Sequence, residues 1–443
     1  MMTTFDNGLT AIELTDRERK ALQELSEFPF FEAVLGRRSR RFPVGGEIPD
    51  GVLAFTSRKE SRPLTDLQRA LVLAMVTGQT GWHFGISRHP GYAPQFPNYS
   101  GSAIGRTFPS AAGFHTTQFF FTDDSGTYYL PTRDGVLDQQ LDITTFDSGD
   151  AVENALNAVL ARAVRISDER LHLPREQPYF EGHNTWIGNW PGSLLVIPVA
   201  DLDQQTLLNI AFFSQNGYVI YDDINDREIP GLEKYRHRLV RFDDPQPLSF
   251  VEQYSLAEAS AELMTSSYVG HLALGAIGLG GWSFDGIDRL SVLGASGDPD
   301  VPGLGSRYDT DDRWAMPNPT GRDGVFESFT KPHFGSMRKV VEALADRKFG
   351  PGGPFNPGTP GPWKDPEKVR SAAVPFDEEF MELFTTQAEC IDASFGKFPG
   401  TVPSVWIMNY LQAQHLDTDF YDEKFSPGAY LSTHATEQER WNS

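Results

Sequence analysis

Arg37-Arg38-Ser39-Arg40-Arg41-Phe42 puts four arginines into five positions of a chain whose formal net charge is −22. Cations packed this closely repel one another unless carboxylates or a bound anion sit among them, and guanidinium forks match phosphate geometry bidentately. The run therefore reads either as a basic turn paired with some of the 60 acidic residues or as an anion site. Two further stretches bear on that choice. Arg106-Thr107-Phe108-Pro109-Ser110-Ala111-Ala112-Gly113 is a turn of small residues between an arginine and an apolar strand beginning at Phe119. Its backbone, unobstructed by side chains, can lie against a planar ring and direct amides or carbonyls at the ring edge. Gly278-Leu279-Gly280-Gly281 is a glycine turn that closes a long uncharged helix. Read together, the three stretches point to a phosphate joined to a large flat ring.

The surrounding composition narrows the classes. A strongly acidic chain lacks the basic face that nucleic-acid phosphates require, and an anionic membrane surface is disfavoured for the same reason. Cys390 is the single cysteine, which excludes an internal disulfide framework and a cysteine-rich metal site. The start, Met-Met-Thr-Thr-Phe-Asp-Asn-Gly, has neither a basic flank nor an apolar signal core. Leu263 to Phe284 contains no charged residue, but its serines, threonine, His271 and glycines make it too polar and small-sided for lipid. A soluble cytoplasmic protein is the expectation.

Helices are expected after Thr15 with Glu18, Thr65 with Gln68, and Ser255 with Glu258, each pair spaced as a reciprocal cap. A further helix is expected from Ala151 to Val164. Phe119-Phe120-Phe121 and Thr127-Tyr128-Tyr129-Leu130 flank an Asp/Gly turn and read as a hairpin. Leu194 to Val199 reads as a buried strand with Pro198 near an end or edge, and Leu290 to Leu293 as another strand. The glycine- and proline-dense run from Phe349 to Trp363 cannot be regular structure. Helices are expected around it, at Ser336–Lys348, Phe376–Phe395 and Pro403–Leu416. The fold class is α+β, a modest sheet wrapped by helices. The expected organisation is a helical lead-in over 1–27, a cofactor-binding domain over 28–309, and a helical or irregular C-terminal extension over 310–443 that packs on the core or on a partner subunit.

At these residues the chain resembles the FMN-dependent nitroreductase superfamily. Arg37, Arg38, Ser39 and Arg41 match its first motif, Arg-Arg-Ser-x-Arg. The second motif, a Pro-Ser turn about 70 residues on, is matched by Pro109, Ser110, Ala111 and Gly113, with Arg106 before it. In this form it is most similar to the branch of thiazoline and oxazoline oxidases that act in peptide maturation. The third motif, Gly-Leu-Gly after an alanine-rich helix, is matched by Gly278, Leu279 and Gly280, followed by Gly281. A basic residue that assists with phosphate usually follows, and Arg307 is the candidate. The resemblance implies a mostly antiparallel central sheet, FMN as cofactor, and a homodimer whose two flavins are each touched by both subunits. It implies hydride transfer through the flavin to or from a small organic or peptide-derived substrate. Candidate acid–base residues are Tyr218, Tyr221 and Lys234, in a segment where the family places pocket or lid residues, and His271 on the uncharged helix.

Competing chemistries lack their patterns. Gly278-x-Gly280-x-x-Ser283 follows a helix and misses the third glycine of a dinucleotide fingerprint. His415-Leu-Asp-Thr-Asp419 reads as an acidic surface turn, so no metal is expected. The alternative functions are a flavin-sequestering or flavin-sensing protein without turnover, and a catalytically inert scaffold.

Overall fold

The computed structural model describes residues 3–86, 98–133 and 149–442. Seven strands form the central sheet: β1 (Thr117–Asp123), β2 (Gly126–Leu130), β3 (Val164–Ser167), β4 (Leu194–Asp201), β5 (Gly280–Phe284), β6 (Val405–Trp406) and β7 (Tyr410–Gln414). They run in the order β5-β7-β4-β1-β2-β3, with β6 also on β4. Every pairing is antiparallel, so the class is α+β.

The aromatic hairpin forms because Asp123 folds its own turn. Its carboxylate accepts from the Ser125 backbone N–H at 2.8 Å, which sets Phe119 opposite Leu130 and Asp123 opposite Gly126. Side chains then alternate between faces. Phe119 and Phe121 enter the core beneath the helices, while Phe120 and Tyr129 join the cluster on the opposite face. Both faces are covered, which is why β4 is buried at every position. Pro198 lies inside β4 rather than at its end. On one side of β4 the pairing with β7 covers Leu194–Val196 and that with β6 covers Ala200–Asp201, so Pro198 sits at the break between them.

The helices that matter to the site are α1 (Asp16–Ser26), α2 (Asp66–Thr77), α3 (Gly149–Ala161), α4 (Leu202–Gln215), α5 (Leu248–Ile277), α6 (Met337–Phe349), α7 (Glu378–Phe395) and α8 (Ser432–Asn442). Reciprocal caps at Thr15/Glu18 and Thr65/Gln68 open α1 and α2 as expected. The cap expected at Ser255 is not a helix start. Helix α5 begins at Leu248, where Asp223, 26 positions upstream, accepts from the Ser249 backbone N–H at 2.9 Å. Ser255 lies mid-helix and donates to the Val251 carbonyl at 2.8 Å. A remote cap of this kind leaves no local signature. The helix ends at Gly278, which takes φ +87.

Two other expectations fail. Arg289–Leu293 is a short helix, not a strand, because Asp288 caps it through the Ser291 N–H at 2.7 Å. Pro403–Leu416 is not helical: it supplies β6 and β7. A strand buried on both faces shows no alternation, so its apolar run imitates a helix segment. The tail beyond 309 thus returns to the centre of the sheet, with β7 between β5 and β4. Helices α6 and α7, expected from sequence, pack with α4 and a separate small sheet (Tyr218–Asp222, Arg227–Glu228, Arg241–Pro247) around their own core of Leu207, Ile220, Tyr235 and Phe384.

Candidate functional site

The arginine island and the glycine turn meet. The Gly281 backbone N–H donates to the Arg40 carbonyl at 2.7 Å, joining the two stretches as an antiparallel bridge. At Gly280 an added Cβ would lie 2.9 Å from the Arg40 carbonyl oxygen, and at Gly281 the neighbouring strand β7 leaves room for glycine alone. Gly281 has φ +144, and an added Cβ would lie 2.0 Å from the Gln412 carbonyl oxygen. Arg40, which the family motif passes over, is the buried member. Its Nε donates to the Ala429 carbonyl at 2.9 Å and its guanidinium also reaches the Gly36 carbonyl at 3.1 Å. Arg40 therefore fixes the loop, while Arg37, Arg38, Ser39 and Arg41 stay half-buried or exposed. Arg41 lies over the Trp282 ring, 5.4 Å from its centroid. Among the described residues none of the four arginines has a carboxylate within ion-pair distance, although the chain is acidic.

Arg37, Arg38 and Arg40 line a narrow cleft of only about 10 Å³, which His271 and His434 close. His271, on α5, points Nε2 at the Arg38 carbonyl, 3.3 Å away; a carbonyl only accepts, so Nε2 carries the proton. Burial lowers its pKa and Arg37 and Arg40 lower it further, against the hydrogen bond to Arg38. His434, on α8, accepts the Leu431 N–H at Nδ1 and donates from Nε2 to the Leu279 carbonyl at 3.1 Å. That pairing requires the neutral ring, and burial beside Arg40 holds its pKa down at about 4. Nothing near the cleft in sequence announces His434; it arrives from the far end of the chain.

The second motif forms a different kind of site. Ala111–Gly113 is one turn of 3-10 helix, and both Ala112 (φ 47) and His115 (φ 48) are left-handed. Non-glycine residues in that region are strained by about 1–3 kcal/mol each and persist only where the surroundings hold them. Here the holding group is Glu262 of α5. Its buried carboxylate accepts from the Thr117 N–H at 2.7 Å, with the Ser110 hydroxyl beside it. Ser110 Oγ in turn accepts from the His115 N–H at 2.9 Å. Burial raises the Glu262 pKa, opposed by hydrogen bonds from Ser110 and Thr117 and by the charge of Arg106. Arg106 is fully buried and its pKa falls to about 9; burial, with Arg106 next, lowers that of His115 to about 3. Glu262 was legible only as the last carboxylate before the uncharged run.

A cavity of about 310 Å³ opens beside this turn, bounded by Ser110, Gly113 and His83 on one side and by Phe355, Trp363 and Arg370 of the C-terminal region on the other. Pro109, next to Ser110 in the chain, is exposed. Buried side-chain atoms without partners gather around the turn: both Gln79 amide atoms, Thr107 Oγ1 and His115 Nδ1. Buried polar atoms are normally paired, so such a group marks room for a ligand or water.

Helix α5 spans the two sites. His271 follows Glu262 by nine positions, which is two and a half turns. The two side chains therefore leave the helix on opposite flanks. The helix surface that faces solvent carries Tyr254, Ala257, Ala261, Met264 and Tyr268, all exposed and spaced alternately three and four apart.

Other sequence candidates lie elsewhere. Tyr218 and Tyr221 are on the separate small sheet, where Tyr221 donates to Asp226 at 2.6 Å. Lys234 pairs with Glu382 at 2.7 Å. None of the three lines the arginine cleft or the cavity at Ser110. Arg307 lies on the exposed strand Arg307–Asp309 and pairs with Asp323 at 3.2 Å. It makes no contact with the arginine cleft among the described residues.

No family model matches the chain, and no curated protein matches it. Among solved structures, a crystal structure described as "a putative nitroreductase" from Ralstonia eutropha JMP134 is similar over 59% of this chain and 72% of that one. Its sequence identity is 12% and its TM-score 0.26. A superposition that loose carries no argument, so the functional reading rests on the residues. No helix among the described residues is long and apolar enough to cross a membrane.

Proposed function

We propose that the chain is an FMN-dependent oxidoreductase of the nitroreductase type, acting as a homodimer on a small organic or peptide-derived substrate. The observation that carries this reading is the arginine loop: Arg37, Arg38 and Arg41 lie on one short stretch without a carboxylate partner among the described residues, and the Arg40–Gly281 bridge fixes that stretch to the glycine turn. A phosphate supplies the missing charge, bidentately and partly desolvated. Ser110, Ala112 and Gly113 line the cavity at this turn, where hydroxyl and backbone groups can meet the heteroatom edge of a flavin ring. Bound there, FMN would supply hydride chemistry.

The opposite flanks of α5 support the dimer. One chain presents the phosphate cleft on one flank and the ring-binding turn on the other, with an apolar exposed stripe between them. A three-four spacing is the seam of packed helices. Two copies joined along it would set the cleft of one near the turn of the other, so that each flavin is held by both. In this reading Arg37 and Arg41 bind phosphate, Ser39 adds a hydroxyl, and the Pro109–Gly113 backbone with Leu279–Gly281 frames the ring. Trp363 and Arg370 limit what can reach it. His271, with its Nε2 proton committed to the Arg38 carbonyl, orients the arginine loop.

The test is spectroscopic. The purified protein, or the protein given FMN, is expected to show oxidised-flavin absorbance at one FMN per chain and to bleach under anaerobic NADH or NADPH. FMN binding without bleaching by either nicotinamide or candidate substrates would favour the sequestering alternative.

A further inference from the structure

Away from the flavin reading, a histidine and two carboxylates converge at the hairpin formed by Asn318–Arg322 and Phe326–Glu327. Asp323 and Glu327 flank its turn, and His333 follows in the loop that leads into α6. One ligand-capable atom from each lies within 4.8 Å of the others. The His333 side chain has no solvent exposure, whereas Asp323 is largely exposed.

Hydrogen bonding fixes the ring of His333 and aims its free nitrogen at the cluster. Nε2 lies 2.8 Å from the Thr320 carbonyl, which can only accept, so Nε2 carries a proton. In the neutral ring Nδ1 then presents a lone pair. That atom is buried, makes no hydrogen bond, and stands 3.0 Å from Asp323 Oδ1. A lone pair facing a carboxylate is repulsive unless a proton or a metal cation lies between them. A histidine that donates one N–H to a backbone carbonyl while aiming the other nitrogen at carboxylates has the arrangement of a metal-ligating histidine with its outer partner in place.

We propose that His333 Nδ1, Asp323 and Glu327 bind one divalent cation of intermediate softness, of which Zn²⁺ is representative. Imidazole with carboxylates suits that class. Zn²⁺ takes nitrogen and oxygen ligands at about 2.0–2.2 Å, which spaces tetrahedral ligands about 3.4 Å apart, so Asp323 Oδ1 is already in range and the adjustment falls to Glu327. Asp323 is exposed and Glu327 sits at the edge of the hairpin, while the histidine side chain is buried. Arg307 already braces the second oxygen of Asp323 at 3.2 Å, and the Gly324 N–H donates to Glu327 Oε1 at 2.8 Å. These contacts orient the carboxylates. The remaining positions on the cation are left to water. The cation would tie the hairpin to the loop entering α6, clamping the C-terminal region to the sheet.

The experiment is a Zn²⁺ titration of the full-length, EDTA-dialysed protein by calorimetry, with thermal unfolding in parallel. One site per chain is expected to disappear, or to weaken at least tenfold, in His333→Gln. The changes Asp323→Asn and Glu327→Gln, which remove no core contact, are expected to do the same and to abolish the rise in Tm with Zn²⁺. Equal stoichiometry and affinity in the wild type and in Asp323→Asn/Glu327→Gln would overturn the site. So would a Zn²⁺ affinity in His333→Gln equal to that of the wild type. Neither readout depends on flavin, so failure here leaves the flavin reading standing, and the reverse holds.

Discussion

The two flanks of α5 solve opposite problems with the same helix. Around Glu262 everything is closed: a buried carboxylate, a buried Arg106, a neutral buried His115 and two left-handed residues held by hydrogen bonds. Around His271 the geometry is set by backbone, through the Arg40–Gly281 bridge, and the charge is left open. The closed flank pairs Glu262 with Thr117 and Ser110, which fixes the turn, and leaves Gln79, Thr107 Oγ1 and His115 Nδ1 unpaired beside it. The open flank keeps three arginines available. Substitutions on the two flanks should therefore differ in kind: at the open flank backbone changes disrupt the fold and charge changes do not, whereas at the closed flank charge changes do.

The largest effect is expected where the open flank is built from backbone. Gly281→Ala forces a Cβ against the Gln412 carbonyl at an unfavourable φ and should cost about 4 kcal/mol or more, read by urea unfolding. Next is the closed flank. Glu262→Leu leaves the Thr117 N–H buried and unpaired beside Arg106 and should cost about 3 kcal/mol. If Glu262→Leu proves neutral, the left-handed turn is held by something else.

A smaller effect should appear in the pH dependence. His115, at about 3, and His415 and His434, at about 4, all titrate in the folded state below their ordinary value of 6.5, chiefly through burial. Below pH 6.5 the unfolded chain binds more protons than the folded one, so stability is full above 6.5 and is lost as pH falls towards 4. Each histidine can contribute about 1 kcal/mol per pH unit in that window. Burial raises Glu262, which acts in the opposite sense, so the diagnostic is the difference between variants. His115→Asn, which tolerates the left-handed backbone, should flatten the acid limb by about 1 kcal/mol per pH unit. An unchanged slope would contradict a buried neutral His115.

The least effect on stability is expected from Arg37→Ala and Arg41→Ala: within about 0.5 kcal/mol, because neither makes an ion pair among the described residues. A loss of 2 kcal/mol from either would show that the arginines hold the fold rather than a ligand.

How much of this was legible follows the locality of the interactions. The capped helices α1 and α2, the Asp123 hairpin and the end of α5 at Gly278 are each specified within a few residues, and sequence located them. The start of α5 depends on Asp223, and the strand at Tyr410–Gln414 depends on two neighbours far away in the chain, so local period misread both. The site divides in the same way. Arg37–Arg41 and Gly278–Gly281 were recognisable as stretches, and their pairing through Arg40 needed the sheet. Glu262 gave a faint signal, as the last charge before an uncharged run. His434 and the cation cluster at His333 gave none, because their partners meet only in the folded chain.

The most direct test of the central claim is an FMN titration of the wild-type protein beside Arg37→Ala and Arg41→Ala, followed by the visible bands of bound flavin. The account predicts saturable binding at one FMN per chain, weakened on the order of tenfold to several hundredfold by either substitution at nearly constant stability. A wild-type protein that stays colourless in excess FMN, or binding equally tight in both variants, would contradict it.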